Sequence, residues 1–156
     1  MAGYFAIGIE GAKNETNIGT LWRSASLLGA SFVFTVGRRY KHQGSDTMKA
    51  VRHLPLLYFD TVDDLYTHLP AGCVLVGLEL ELKAIPLTAF SHPKQAVYLL
   101  GAEDLGISQQ SMERCHTLVK LPGERSMNVA VVGSIVMYDR LAKTEHGPKR
   151  VSNIGV

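Results

Sequence analysis

The chain has few cysteines, and they are not spaced as a redox or metal site requires. Cys73 and Cys115 lie far apart among apolar residues, so we expect both to be small buried side chains. The histidines are also scattered, with no pair at metal-ligand spacing. These absences argue against a disulfide framework and lead us to expect no metal.

Long apolar runs and the standard nucleotide-binding motifs are absent too. No apolar run reaches the roughly 18 residues that a membrane-spanning helix needs. The first residues lack the basic start and apolar core of a secretion signal, so we expect a cytoplasmic protein. The glycines match neither G-x-x-x-x-G-K-[ST] nor G-x-G-x-x-G, which argues against a P-loop nucleotidase and an ordinary dinucleotide-binding fold.

The composition is that of one compact globular domain. Of the 156 residues, 46% are hydrophobic and 19% are charged. A chain of this size buries roughly 68–70% of its unfolded surface without help from disulfides or metals. We expect a single domain over residues 1–142 and a polar tail over residues 143–156. The net charge of +2 is small, so an RNA-binding surface has to come from local basic clusters.

Short apolar runs alternate with helical patterns along the chain. Strands are predicted at residues 5–9, 31–36, 56–59, 74–78, 96–100 and 117–121. Helices are predicted at residues 18–28, 62–69, 109–115 and 129–142, with one helical turn at 47–52 and an irregular connection at 86–90. Asn17, Thr61 and Ser108 are the predicted helix caps, and Gly29 is the predicted end of the first helix. Apolar strands that alternate with helices indicate an α/β domain with a largely parallel sheet.

Three polar loops, each containing glycine, carry side chains suited to a site. Their positions are Asn17, Gly19 and Arg23 in the first loop, Gly101, Glu103 and Gly106 in the second, and Pro122, Ser126 and Asn128 in the third. Ligands of open α/β sheets bind at the carboxyl ends of the strands, so the loops predict one composite site. Taken singly, each polar residue has a structural alternative: a helix cap for the Asn and Ser positions, an exposed helix face for Arg23, and a turn for Glu103.

In this order and at these separations, the three loops resemble the motifs of the SpoU/TrmH family of RNA ribose 2′-O-methyltransferases, in the SPOUT superfamily. The resemblance covers residues 4–142. It implies an α/β fold with a C-terminal trefoil knot, a homodimer, and S-adenosylmethionine as the cofactor. It implies catalytic roles for Asn17, Arg23, Glu103, Ser126 and Asn128, and cofactor binding by Leu78, Gly101, Leu121, Ser126 and Met127.

Arg23 occupies the family position for which a role as general base has been proposed. Because an arginine side chain stays protonated in proteins, its chemistry favours a different role. A guanidinium can orient a phosphate or stabilise a developing alkoxide. The role as a base therefore rests on the resemblance alone.

Contact with RNA requires basic side chains, and the densest cluster follows the second predicted strand. Arg38, Arg39 and Lys41 stand there beside Tyr40, and the basic residues Lys49, Arg52 and His53 follow. An aromatic ring among arginines suits single-stranded RNA, on whose bases it can stack. The alternative is a solvated loop. Arg125, inside the third loop, is a further candidate for binding phosphate.

We expect no separate N-terminal RNA-binding domain, and this compact form resembles family members that methylate the wobble ribose of transfer RNA. We therefore expect transfer RNA rather than ribosomal RNA as the substrate. Two alternatives stay open: a catalytically idle RNA-binding module of the same fold, and a base methyltransferase of the wider superfamily. The presence of Arg23, Ser126 and Asn128 argues against the first, and the Asn17-to-Arg23 motif argues against the second.

Overall fold

A computed structural model describes residues 3–41 and 54–144 of the chain. In these ranges the strands are β1 (Tyr4–Glu10), β2 (Phe32–Val36), β3 (Leu56–Phe59), β4 (Val74–Leu78), β5 (Ile85–Pro86), β6 (Gln95–Gly101) and β7 (Thr117–Lys120). The α-helices are α1 (Glu15–Leu28), α2 (Val62–Thr67), α3 (Gln109–Arg114) and α4 (Val129–Lys143), and a 3-10 helix spans Leu87–Ala89. None of the helices in the described ranges has the length and apolarity needed to cross a bilayer.

The strands form one sheet in the order β3-β2-β1-β6-β4-β7-β5, and every pairing is parallel. This confirms the predicted parallel α/β fold. Because all strands run the same way, their carboxyl ends lie along one edge, and the loops that follow β1, β4, β6 and β7 meet there.

Helices cover both faces of the sheet, which explains why the strands are apolar along their whole length. Successive side chains of a strand point to opposite faces. In β1, Phe5, Ile7 and Ile9 belong to the cluster that packs under α1 and α4, while Ala6 belongs to the cluster under α2 and α3. Both clusters consist of buried residues, so the core is divided between the two faces.

Helices α1 and α4 lie side by side on the same face, and their contact brings the first and third polar loops together. The Ser134 hydroxyl donates a hydrogen bond of 3.0 Å to the Ser24 hydroxyl. A side chain at Gly133 would lie 2.4 Å from the Leu21 side chain, so glycine permits this close approach. The contact leaves the amino-terminal ends of both helices at the carboxyl edge of the sheet.

The predicted cap of α1 was wrong. Asn14, not Asn17, caps the helix, and its side chain accepts a hydrogen bond of 2.9 Å from the backbone N–H of Thr16. Two asparagines stand three residues apart, and both suit the start of a helix. Asn17 lies in the first turn, where its side chain is directed into the protein. The other predicted caps, Thr61 and Ser108, and the end at Gly29 are confirmed.

Further differences are small. Residues 85–86 form the short strand β5, although we predicted only an irregular connection at 86–90. Helix α2 ends at Thr67, and α4 continues through Lys143, one residue into the predicted tail. The helical turn predicted at 47–52 and residues 145–156 lie outside the described residues.

A buried polar cluster fixes the second half of α4 to the segment before β6. The Arg140 guanidinium donates to the backbone oxygens of Pro93 (2.6 Å) and Lys94 (2.8 Å) and to the Tyr98 hydroxyl (3.1 Å). The Tyr98 hydroxyl also pairs with His92, and burial lowers the pKa of His92. The cluster lies away from the carboxyl edge, so we assign it to stability.

The two cysteines have the structural role that the sequence predicts. Cys73 is buried and Cys115 is half-buried, and neither forms a disulfide. Both pack in the apolar cluster under α2 and α3. Burial raises the pKa of the Cys115 thiol to about 12, which leaves it protonated and unreactive.

Candidate active site

A cavity opens at the carboxyl ends of β4, β6 and β7. Its volume, including the space open to solvent, is about 590 Å³. Its wall is largely apolar where the strands end and polar where the loops begin. The lining residues are Leu78, Glu79, Leu80, Leu100, Gly101, Ala102, Glu103, Gly106, Val119, Lys120, Leu121, Pro122, Arg125, Ser126, Met127, Val129 and Val132. We call this the first cavity.

All five residues that the resemblance assigns to the cofactor line the first cavity. Leu78 is the last residue of β4, and Gly101 is the last residue of β6. Leu121, Ser126 and Met127 belong to the loop between β7 and α4. The structure therefore brings these positions together, although they are up to 49 residues apart in the chain.

Two glycines allow the second loop to fold closely against the end of β6. A side chain at Gly101 would lie 2.1 Å from the backbone carbon of Gly106, a distance that no real Cβ tolerates. Gly106 has a φ of +64°, which glycine adopts without strain. Its N–H donates a hydrogen bond of 2.8 Å to the Ala102 oxygen, and this closes the turn. The turn forms one wall of the first cavity.

Glu79, which our sequence analysis did not select, holds this turn in place. Its carboxylate accepts hydrogen bonds from the backbone N–H groups of Ile107 (2.8 Å) and Leu80 (2.9 Å). A side chain at Gly106 would lie 2.4 Å from the same carboxylate. The available signal was its position: an acidic residue directly after a buried strand of a parallel sheet.

One hydrogen-bonded network joins all three polar loops. The Asn17 amide donates to the Glu103 carboxylate. The Asn128 amide donates to the Asn17 side-chain oxygen at 3.0 Å and approaches Glu103 at 3.4 Å. Asn17 is buried, whereas the Glu103 and Asn128 side chains reach solvent. The network fixes the relative positions of the three loops at the cavity wall.

Asn128 combines two roles that the sequence analysis left as alternatives. Its side-chain oxygen accepts hydrogen bonds from the N–H groups of Ala130 (2.9 Å) and Val131 (3.3 Å), so it caps α4. Its amide group points to the network. A single side chain therefore fixes both the start of α4 and the loop that precedes it.

Substitutions of Asn128 separate these roles. Asn128→Ala is expected to destabilise the protein by about 1–2 kcal/mol, because the cap and the network are both lost. Asn128→Asp retains the cap but places a second carboxylate against Glu103, so we expect a smaller loss of stability and a large loss of activity. Chemical unfolding and an activity assay measure the two effects. Equal loss of stability in both variants would contradict the dual role.

Arg23 lies outside the first cavity. It is exposed on α1 and forms no hydrogen bond or ion pair with any of the residues that the structure describes. At 100° per residue, Arg23 and Asn17 are separated by about 120° around the helix axis, so the two face different directions. The structure of one chain thus brings together four of the five predicted catalytic residues and leaves Arg23 apart.

The predicted RNA-binding residues lie on the surface near the same edge. Arg38, Arg39 and Lys41 are exposed and follow β2. The Arg39 guanidinium lies 4.0 Å from the centre of the Tyr58 ring, and the Lys41 N–H donates to Glu15 at 3.2 Å. Arg125 lines the first cavity. The neighbouring basic residues Lys49, Arg52 and His53 lie outside the described residues.

The described ranges contain no group of three or more His, Cys, Asp or Glu side chains that could hold a metal ion. The polar side chains at this edge carry amide, carboxylate, hydroxyl, ammonium and guanidinium groups.

The parallel sheet, the cavity at its carboxyl edge and the three linked loops define the class: an α/β protein that holds a small ligand beside a polar network. The chain belongs to the SpoU rRNA methylase family, whose sequence profile matches residues 4–138. This confirms the family predicted from the three loops.

Individual relatives are distant. The chain is 27% identical over 143 residues to an uncharacterised tRNA/rRNA methyltransferase from Archaeoglobus fulgidus; the match covers 87% of this chain and 63% of the relative. Among solved structures, the AdoMet-bound rRNA methyltransferase from Sinorhizobium meliloti has a TM-score of 0.78 at 21% identity, covering 90% of this chain and 57% of that one. A structure described as giving insights into 2-OH methylation of C/U34 on tRNA has a TM-score of 0.76 at 19% identity, covering 90% and 96%.

These structural likenesses, all below 25% identity, show the shared fold. The chain spans less than two thirds of the first two proteins.

Proposed function

We propose that this protein transfers a methyl group from S-adenosylmethionine to a ribose 2′-hydroxyl of RNA. The observation that carries the proposal is the network of Asn17, Glu103 and Asn128, which joins the three family motifs at the wall of the first cavity. The fold is proposed to include the trefoil knot of the superfamily within a single domain over residues 1–142. A cytoplasmic location is also part of the proposal and rests on the sequence alone.

The first cavity suits the cofactor. Leu78, Leu100 and Val119 give it an apolar floor, which suits a flat aromatic base. The absence of a side chain at Gly101 lets the turn at Gly106 fold against the end of β6 and form one wall of the cavity. When bound, S-adenosylmethionine supplies an electrophilic methyl group on a sulfonium.

The protein's own groups then have three tasks. They hold the ribose hydroxyl in line with the methyl group, exclude water, and stabilise the negative charge that develops on the oxygen. The Ser126 hydroxyl and the Asn128 amide lie beside the first cavity and are suited to orienting the ribose. Glu103 is already bonded to both asparagines, so it serves to position them.

Arg23 is proposed to stabilise the developing alkoxide or to orient a neighbouring phosphate. Its exposure and its distance from the network fit an arginine that completes the site of a second copy of the chain. The same surface supports a homodimer, because α1 and α4 present apolar side chains to solvent there: Leu27 is 77% exposed and Tyr138 is 64% exposed. Val131 and Ile135 of α4 continue this exposed face.

Transfer RNA is the proposed substrate, with the wobble position, nucleotide 34, as the leading candidate. The support is the match in size: the chain covers 96% of the protein whose structure is described in terms of C/U34 on tRNA. Ribosomal RNA is the less favoured substrate.

Labelled cofactor tests the proposed activity. The protein is incubated with methyl-tritiated S-adenosylmethionine and, separately, with unmodified transfer RNA and ribosomal RNA. Label in the transfer RNA pool alone is expected. Label in the ribosomal pool alone would contradict the substrate assignment. Cofactor binding by calorimetry without label in either pool would favour the idle RNA-binding module.

Neutralising Arg38 and Arg39 together is expected to weaken RNA binding. Each lost phosphate contact should lower the slope of log affinity against log salt by about 0.7–0.9. Titrations of transfer RNA at several salt concentrations measure both quantities. If the double variant keeps the wild-type affinity and slope, the exposed cluster after β2 is only a solvated loop.

A further inference from the structure

A second cavity adjoins the first. Its volume, including the space open to solvent, is about 530 Å³, and it shares Ala102, Glu103 and Val129 with the first cavity. Five of its nine lining residues are polar, a larger share than in the first cavity, and they belong to the loop after β1, the first turn of α1 and the loop after β6. These are Lys13, Asn14, Asn17, Glu103 and Asp104.

An ion pair joins the two loops on the solvent side of the second cavity. The Lys13 ammonium lies 2.5 Å from the Asp104 carboxylate, and the side chains are 57% and 54% exposed. The Lys13 ammonium holds the pKa of Asp104 below its usual value. An exposed pair of this kind contributes little to stability, so it can open without much cost to the fold.

The two cavities differ in their share of polar side chains, and the two substrates of the proposed reaction, S-adenosylmethionine and an RNA nucleotide, differ in polarity as well. The first cavity, in which most lining residues are apolar, suits the cofactor. A nucleotide of RNA brings a sugar with hydroxyl groups and a charged phosphate, which suit amides and an ammonium group. Direct transfer requires the ribose oxygen and the methyl group to meet, and the wall shared by the cavities contains Glu103 of the polar network.

We propose that the second cavity receives the sugar and phosphate of the acceptor nucleotide, and that Lys13 exchanges Asp104 for an RNA phosphate when the substrate enters. This inference rests on the proposed function and extends it by locating the acceptor. Lysine binds phosphate as a point charge and needs no fixed geometry. Asp104 orients the Lys13 ammonium in the free protein and opposes the phosphate by charge repulsion.

Opposite effects of two substitutions test the exchange. Lys13→Ala is expected to weaken RNA binding by about tenfold and to lower the salt slope by about 0.7–0.9, because one phosphate contact is lost. Asp104→Asn is expected to strengthen RNA binding by about threefold, since the competing carboxylate is gone. The probe is an unmodified transfer RNA transcript, titrated by fluorescence anisotropy between 50 and 200 mM salt, roughly the range over which phosphate contacts are sensed.

A matched control is available at the opposite edge of the sheet. Lys94 is exposed and directly precedes β6, so Lys94→Ala removes the same charge far from the second cavity. We expect it to leave the affinity and the salt slope unchanged. Calorimetry with S-adenosylhomocysteine should give the same dissociation constant for the wild type and all three variants.

Three results would overturn the inference. Weaker RNA binding in both Lys13→Ala and Asp104→Asn would show that the ion pair is only a structural tie. A wild-type salt slope in Lys13→Ala would mean that Lys13 contacts no phosphate. Loss of S-adenosylhomocysteine binding in Lys13→Ala would assign the second cavity to the cofactor.

The inference and the proposed function fail in different ways. If no RNA pool accepts label, the proposed function is wrong, and the titrations still report whether Lys13 binds phosphate. If label is transferred but Lys13→Ala binds RNA like the wild type, only the location of the acceptor is wrong.

Discussion

Arg23→Ala is expected to abolish methyl transfer while leaving the fold and the affinity for the cofactor unchanged. The side chain is exposed and lies outside the first cavity, so its removal leaves no buried group unpaired. Loss of a group that stabilises charge in the transition state lowers the rate by about 10²–10³. Single-turnover transfer of tritiated methyl groups measures the rate, and calorimetry with S-adenosylhomocysteine measures the affinity.

Two further variants define the role of Arg23. Arg23→Lys retains the positive charge but loses the planar guanidinium with its paired donors. We expect partial activity, because the lysine ammonium can still stabilise negative charge. Arg114→Ala removes an exposed arginine on α3 that pairs with Asp63, and it should leave activity unchanged. Loss of cofactor binding in Arg23→Ala would give Arg23 a structural role and contradict the proposal.

Arg140→Ala is expected to produce the largest loss of stability. Arg140 is only 5% exposed, and its guanidinium satisfies the backbone oxygens of Pro93 and Lys94. It also lies 5.2 Å from the centre of the Phe5 ring. Removing the side chain leaves buried acceptors unpaired and a cavity beside Phe5, at a cost of about 3 kcal/mol. For a domain of this size the melting temperature should fall by about 10 °C.

Chemical unfolding with the Arg114→Ala control tests this expectation. The Arg114–Asp63 pair is exposed, with an N–O distance of 2.6 Å, so its loss should cost less than about 1 kcal/mol. A free energy of unfolding for Arg140→Ala within about 0.5 kcal/mol of the wild type would contradict the assignment of this cluster to stability.

The main elements of the fold were predictable because their signals are local. Strands that are buried on both faces are apolar throughout, and residues 96–100 of β6 show this pattern. Helix α1 instead has buried apolar residues at helical spacing, such as Leu21 and Ala25, so the periodicity of its sequence distinguishes it from a strand. Thr61 and Ser108 identify helix starts because each side-chain oxygen accepts a hydrogen bond from the backbone N–H three residues later, which involves only neighbouring residues. The three polar loops could also be predicted, because each is a short run of neighbouring residues.

The remaining features depend on contacts between distant segments. Asn14 and Asn17 are equally good caps by sequence; Asn14 takes that role because Asn17 is bonded to Glu103, 86 residues away. Strand β5 has two residues and exists through its pairing with β7. Two of the partners of Arg140 are the backbone oxygens of Pro93 and Lys94, which no side-chain pattern reveals. Lys13 was missed because its role depends on the loop after β6.

The nature of the methylated product tests the central claim most directly. RNA labelled with methyl-tritiated S-adenosylmethionine is hydrolysed with alkali, which cleaves next to a free 2′-hydroxyl but not next to a methylated one. We expect label from the wild-type protein in alkali-resistant dinucleotides, and no label with Arg23→Ala. Label in ordinary mononucleotides would mean that a base is methylated, and would contradict the assignment of the three loops to a ribose 2′-O-methyltransferase.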